Sequence, residues 1–129
     1  MTPLAGKRLL VIEDEAIIAA MVEDMLTELG ATVVGPAATI AHGLKLATSE
    51  AIDGAVLDVN VRSERVDPIA DLLRSRDIPF VYATGYGDAV AATAQGAPVL
   101  EKPYTLEKLA RAVAAALSRS DPSFGASAG

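Results

Sequence analysis

The chain has 129 residues, a formal net charge of −6, 51% hydrophobic and 4% aromatic residues, and no cysteine. The length suits one domain with a core of Ala, Val, Leu and Ile. The acidity argues against general nucleic-acid binding, which needs a basic face, while the lack of cysteine excludes disulfides and thiolate metal sites and fits a reducing cytoplasm.

After Lys7 and Arg8, the run Leu9-Leu10-Val11-Ile12 reads as a buried parallel strand. Its four apolar residues before Glu13 are too few for a signal peptide or a membrane span. From Glu15 to Leu29, Ile17, Ile18, Met21, Val22, Met25, Leu26 and Leu29 recur at helical spacing, and Gly30 stands where a helix C-cap belongs. Thr32 to Ala37 reads as a second strand, placed at the sheet edge because Pro36 has no amide donor. Thr39 can cap a second helix running to about Ser49, with Ile40, Leu44 and Ala47 inward and His42, the only histidine, on the exposed side.

Gly54 to Leu57 is a third strand ending at Asp58. A polar loop with Asn60, Arg62, Ser63, Glu64 and Arg65 leads into a helix over roughly Pro68 to Arg76. Pro79 to Ala83 and Pro98 to Leu100 read as the fourth and fifth strands, flanking an Ala-rich stretch from Gly85 to Gly96 with a weak helical pattern. Leu106, Leu109, Ala110, Val113, Ala114 and Leu117 line a last helix, whose Ala112, Ala115 and Ala116 suit either a partner surface or simple helix formation. Residues 1–119 form the expected domain, and the Ser/Gly/Ala-rich stretch 120–129 reads as a disordered tail.

Five alternations of strand and helix predict an α/β fold: a doubly wound parallel sheet of order 2-1-3-4-5 with helices on both faces. Its ligand site lies at the carboxyl ends of the strands. The first strand ends in Glu13-Asp14, the third in Asp58, the fourth in Thr84 and the fifth in Lys102-Pro103. Glu13-Asp14 alone would suit a helix N-terminus, and Thr84-Gly85 alone a turn. Gathered on one rim, three carboxylates repel one another unless a divalent cation joins them. Mg2+ takes oxygen ligands and keeps several waters. Asp14, Asp58 and the carbonyl of Asn60 are the expected direct ligands, with Glu13 acting through a water. A carboxylate can attack phosphorus to give an aspartyl phosphate, a transfer that needs charge neutralisation more than a base. Lys102 and the Thr84 hydroxyl would supply the remaining contacts to phosphoryl oxygens.

The set Glu13-Asp14, Asp58, Thr84 and Lys102-Pro103 resembles that of response-regulator receiver domains of two-component systems, over residues 7 to about 119. The resemblance implies a flavodoxin-like (CheY-like) fold, Asp58 as phosphoacceptor, Thr84 as switch hydroxyl, Lys102 as the family's lysine, and the Lys102–Pro103 bond as one that is often cis in the family. Pro79-Phe80-Val81-Tyr82-Ala83-Thr84-Gly85-Tyr86-Gly87 is similar to the motif of the FAT GUY receivers, with Tyr82 where Phe is usual, and Leu57-Asp58-Val59-Asn60-Val61 and Val34-Gly35-Pro36-Ala37 fit the same group. That group implies a stand-alone, cytoplasmic receiver, a monomer or weak dimer, that takes phosphoryl groups from a sensor histidine kinase of the HWE or a related type, or from a phosphotransfer protein. It either signals by protein–protein interaction or drains phosphate. Val99 stands where many receivers have a rotating Tyr or Phe, so the signal is expected to run through Gly85 to Pro98. Tyr86 and Tyr104 read equally as contact residues or surface aromatics. The rivals are a haloacid-dehalogenase-like phosphohydrolase, which wants an Asp where Asn60 stands, and a non-phosphorylated interaction domain.

Overall fold

The computed structural model describes residues 3–84, 99–101 and 105–120. In chain order the elements are β1 (Arg8–Ile12), α1 (Ala16–Glu28), β2 (Thr32–Ala37), α2 (Ile40–Ser49), β3 (Gly54–Asp58), β4 (Asn60–Val61), β5 (Glu64–Arg65), α3 (Asp67–Ser75), β6 (Phe80–Thr84), β7 (Val99–Glu101) and α4 (Leu106–Ser120). Five strands form one parallel sheet in the order β2-β1-β3-β6-β7, the doubly wound order expected. Pro36 sits in the edge strand β2, where its missing N–H costs no ladder bond on the open side.

Alternation along the strands divides the core in two. Leu10, Ile12, Ala55, Leu57, Phe80 and Tyr82 face one side and pack with Ala47, Ile69, Ala70 and Leu73 of α2 and α3. Leu9, Val11, Val56, Val81 and Ala83 face the other and pack with Val22 and Leu26 of α1 and with Leu109, Val113 and Ala116 of α4. Both faces are therefore covered, which explains why the strands read as continuous apolar runs.

Local chemistry sets the helix ends. Gly30, at φ 94, closes α1. The Ala31 N–H donates to Leu26 O and the Gly30 N–H to Thr27 O, both at 3.0 Å, which is a Schellman motif. Thr39 Oγ1 accepts from the His42 N–H at 3.1 Å and caps α2. His42 itself is exposed.

Three expectations need correction. Ile17 is 85% exposed and Met21 37% exposed, although they belong to the same helically spaced apolar set as the buried residues. The buried line of α1 runs through Ala19, Val22, Leu26 and Leu29; Ile17 and Met21 lie one turn apart on its flank, beyond the arc the sheet can cover. Ala116 is buried in the core and Ala112 packs against it, so only Ala115 of the three alanines stays exposed and they form no free partner face. The polar loop after Asp58 is a small antiparallel hairpin, β4–β5, pairing Asn60 with Arg65 and Val61 with Glu64.

Tyr82 is 1% exposed, and its hydroxyl meets no partner at hydrogen-bond geometry among the described residues; burial raises its pKa, and the Arg74 guanidinium lies near enough to offset that rise only in part. Its ring meets Phe80 edge-on, with centroids 5.4 Å apart. An unpaired buried hydroxyl loses its water without compensation. Tyr82→Phe is therefore expected to raise stability by about 1 kcal/mol, read from the midpoint of urea unfolding. A loss of similar size would mean that the hydroxyl is satisfied.

Candidate functional site

The site begins with strand register. Ile12 of β1 pairs with Leu57 of β3, so Glu13 and Asp58 leave the sheet side by side. Asp58 pairs with Ala83 of β6, which places the Thr84 backbone one step beyond, at the carboxyl end of the sheet. Thr84 in turn pairs with Glu101 of β7, the residue before Lys102. The sheet thus delivers the ends of β1, β3, β6 and β7 to one edge, as the alternation predicted.

Glu13, Asp14 and Asp58 each offer a carboxylate oxygen, and these oxygens lie within 4.8 Å of one another. Glu13 is 4% and Asp58 8% exposed, while Asp14 is half-buried. Apolar strand residues at 0–2% exposure, Val11, Ile12, Val56 and Leu57, lie behind the cluster. The Glu13 N–H donates to Ala37 O at 3.0 Å, and Glu13 Oε2 accepts from the Glu15 N–H at 3.1 Å. Asp14 Oδ2 accepts from the Arg62 N–H at 2.9 Å. Burial raises the Asp14 pKa, but this is outweighed by the Arg62 N–H, by its own N–H and by hydrogen bonds with Glu13 and Asp58, leaving the carboxyl below the ordinary 3.8.

Asn60 lies in β4, immediately past Val59, and the hairpin places its backbone opposite Arg65. The Val99 backbone pairs with Tyr82. Gly85, Tyr86, Lys102, Pro103 and Tyr104 lie outside the described residues, as do the segment 85–98, the Lys102–Pro103 bond and residues 121–129. The residue that sequence reasoning missed is Arg62, treated there as part of a polar loop. Arg62 (φ 52) and Ser63 (φ 67) both occupy the left-handed region, as a two-residue type I′ hairpin turn demands. That turn favours Asn-Gly or Asp-Gly, so Arg-Ser gave no signal.

The donor set suits a small hard cation: oxygen atoms only, three carboxylates, and no nitrogen or sulfur ligand in the cluster. Bringing such a cluster together at the carboxyl edge of a 2-1-3-4-5 sheet defines a class of acidic α/β pocket rather than a generic fold.

No protein-family model matches the chain. The solution structure of SdrG from Sphingomonas melonis Fr1 is 44% identical, covering 91% of this chain and 98% of that one, with a TM-score of 0.77. A crystal structure of a response regulator receiver protein from Sinorhizobium medicae WSM419 is 26% identical, covering 89% and 97%, with a TM-score of 0.79. Among curated proteins, the transcriptional regulatory protein PdtaR of Mycobacterium tuberculosis is 31% identical over 88% of this chain. The phyllosphere-induced regulator PhyR of Methylorubrum extorquens is 28% identical over 84% of it. The chain spans about half the length of these curated relatives, 58% of PdtaR and 43% of PhyR. This chain belongs to the response-regulator receiver family.

Proposed function

We propose that Asp58 is the phosphoacceptor of this receiver, and that the protein signals by a phosphorylation-dependent change rather than by turning over a substrate. The observation that carries this reading is the joining of Glu13, Asp14 and Asp58 at the carboxyl edge of the sheet. Asp14 and Asp58, with the carbonyl of Asn60, would hold Mg2+ directly, and Glu13 through water. When bound, the cation neutralises charge on the pocket carboxylates and on phosphoryl oxygens.

The chain's own residues supply the rest. An oxygen of Asp58 forms the new bond to phosphorus as the bond from phosphorus to the donor breaks, and the electron pair leaves with the donor, a phosphohistidine imidazole in a kinase. Burial of Asp58 limits water around the resulting acyl phosphate. Lys102 and Thr84 would contact the phosphoryl oxygens, and Gly85, Tyr86, Val99, Pro103 and Tyr104 would be the residues that respond. Asn60 in place of the Asp required of a haloacid-dehalogenase-like enzyme argues against a phosphohydrolase.

The Pro79–Gly87 motif supports a receiver of the FAT GUY type, served by a histidine kinase of the HWE or a related type or by a phosphotransfer protein. None of the described helices is long and apolar enough to cross a membrane. The first test is incubation with a small phosphodonor and Mg2+. The reading predicts an acid-stable, base-labile phosphate on the protein; its absence would remove the assignment.

The exposed Ile17 and Met21 stand on the first turns of α1, which follows Asp14 in the chain, and offer an apolar contact to a phosphodonor protein. Ile17→Asp is expected to slow transfer from a phosphorylated histidine kinase roughly tenfold while leaving phosphorylation by the small donor unchanged. Equal slowing with both donors would mean that Ile17 shapes the pocket instead of the encounter.

A further inference from the structure

Asp14 and Glu13 are fixed by two chain segments that are themselves linked. The Glu13 N–H donates to Ala37 O at 3.0 Å, and the next carbonyl along, Ala38 O, accepts from Arg62 Nε at 3.0 Å. The Arg62 N–H then returns to Asp14 Oδ2 at 2.9 Å. One residue of the β4–β5 hairpin thus closes a ring of contacts: from Glu13 to the end of β2, from there to Arg62, and from Arg62 to Asp14.

The hairpin does not close without cost. Both turn residues hold positive φ, 52 at Arg62 and 67 at Ser63, in a conformation that opposes a Cβ. Such strain persists only where surrounding contacts over-determine it, and it concentrates at functional positions. Here the base is anchored by Val59, Val61 and Val66, all 0% exposed, and by the Val66 N–H donating to Val59 O at 2.9 Å. The exposed tip lacks an apolar anchor. Its described ties across the fold are the two bonds made by Arg62. An Asn-Gly turn would relax the backbone, but it would give up the guanidinium contact to Ala38.

We propose that Arg62 is a positioning residue for the acidic pocket: its guanidinium ties the hairpin tip to Ala38, which keeps its N–H on Asp14 and sets that carboxylate for a cation. This rests on the reading of the pocket as a cation site. Arg62 touches neither the phosphoryl group nor the metal in this account; it acts through Asp14.

The test is Mg2+ affinity by titration calorimetry for the wild type, Asp14→Asn, Arg62→Ala and the double variant Arg62→Asn with Ser63→Gly, each with its urea stability measured alongside. The Arg62 amide proton shift is followed by NMR in the same samples. Arg62→Ala is expected to weaken Mg2+ binding about fivefold, less than the roughly tenfold to hundredfold typical of losing an outer partner outright, because the N–H itself remains. The double variant, whose relaxed turn closes without the guanidinium, is expected to return to within about twofold of wild type. Wild-type affinity in Arg62→Ala, with affinity lost in Asp14→Asn, overturns the proposal and leaves the pocket reading intact. A double variant as weak as Arg62→Ala also overturns it, since a turn that closes without the guanidinium would then fail to restore the pocket and hairpin position would not be what sets Asp14. Unchanged affinity in Asp14→Asn would instead sink the cation site itself.

Discussion

Asp58→Asn is expected to lower phosphate incorporation by at least about two orders of magnitude while the domain stays folded. The amide keeps the shape of the carboxylate but is not a nucleophile toward phosphorus. Asp58 is 8% exposed at the tip of β3, between the ends of β1 and β6, so no nearby backbone needs to move to accept the change. Removing one of three carboxylates whose oxygens lie within 4.8 Å of one another also relieves mutual repulsion when no cation is bound. The variant should therefore unfold in urea no earlier than the wild type. The same substitution should weaken Mg2+ binding, because it removes one of the few protein oxygens available. Mass spectrometry of protein incubated with a small phosphodonor measures the incorporation. Stoichiometric phosphate on the Asn variant would place the acceptor elsewhere.

Gly35→Ala should cost roughly 3 kcal/mol of stability, combining left-handed strain with overpacking. Gly35 has φ 100, and an added Cβ would stand 2.8 Å from Ala37 N and 3.1 Å from Val11 O. Both are backbone atoms and cannot swing aside as a side-chain end can. Gly6 provides the internal control: it has φ 77 but nothing within 4 Å of an added Cβ. Gly6→Ala should therefore cost only the conformational part, about 1 kcal/mol. Urea unfolding of the two variants separates strain from clash, and equal losses would dismiss the contact argument. The consequence reaches the pocket. Gly35 lies where the β1–β2 register shifts, between the pairs Leu10–Val34 and Ile12–Ala37. That irregularity aims Ala37 O at the Glu13 N–H and places Ala38 under Arg62. A surviving Gly35→Ala protein should bind Mg2+ more weakly as well.

The amino-acid sequence by itself determined the layered fold and the acidic cluster. Apolar runs bounded by turn residues locate the strands, because a strand buried on both faces has no polar alternation to conceal it. Pro36 marks the edge, and Thr39 and Gly30 mark helix ends through local hydrogen bonding, which needs no tertiary information. Once the strand order follows, Glu13, Asp14 and Asp58 must meet, since they end strands that are neighbours in that order. Tertiary structure decided what periodicity cannot express. The apolar stripe of α1 is wider than the sheet can cover, so packing leaves Ile17 and Met21 in solvent. Ala112 and Ala116 look like surface alanines until α4 packs on the sheet and brings them against its core. The β4–β5 hairpin was invisible because Arg62-Ser63 lacks the residues that favour positive φ. Its conformation is imposed from outside, by buried valines at its base and by bonds from Arg62 to Asp14 and Ala38, 48 and 24 residues away along the chain. Long-range contacts of that kind leave no local pattern to read, and only the folded chain brings them together.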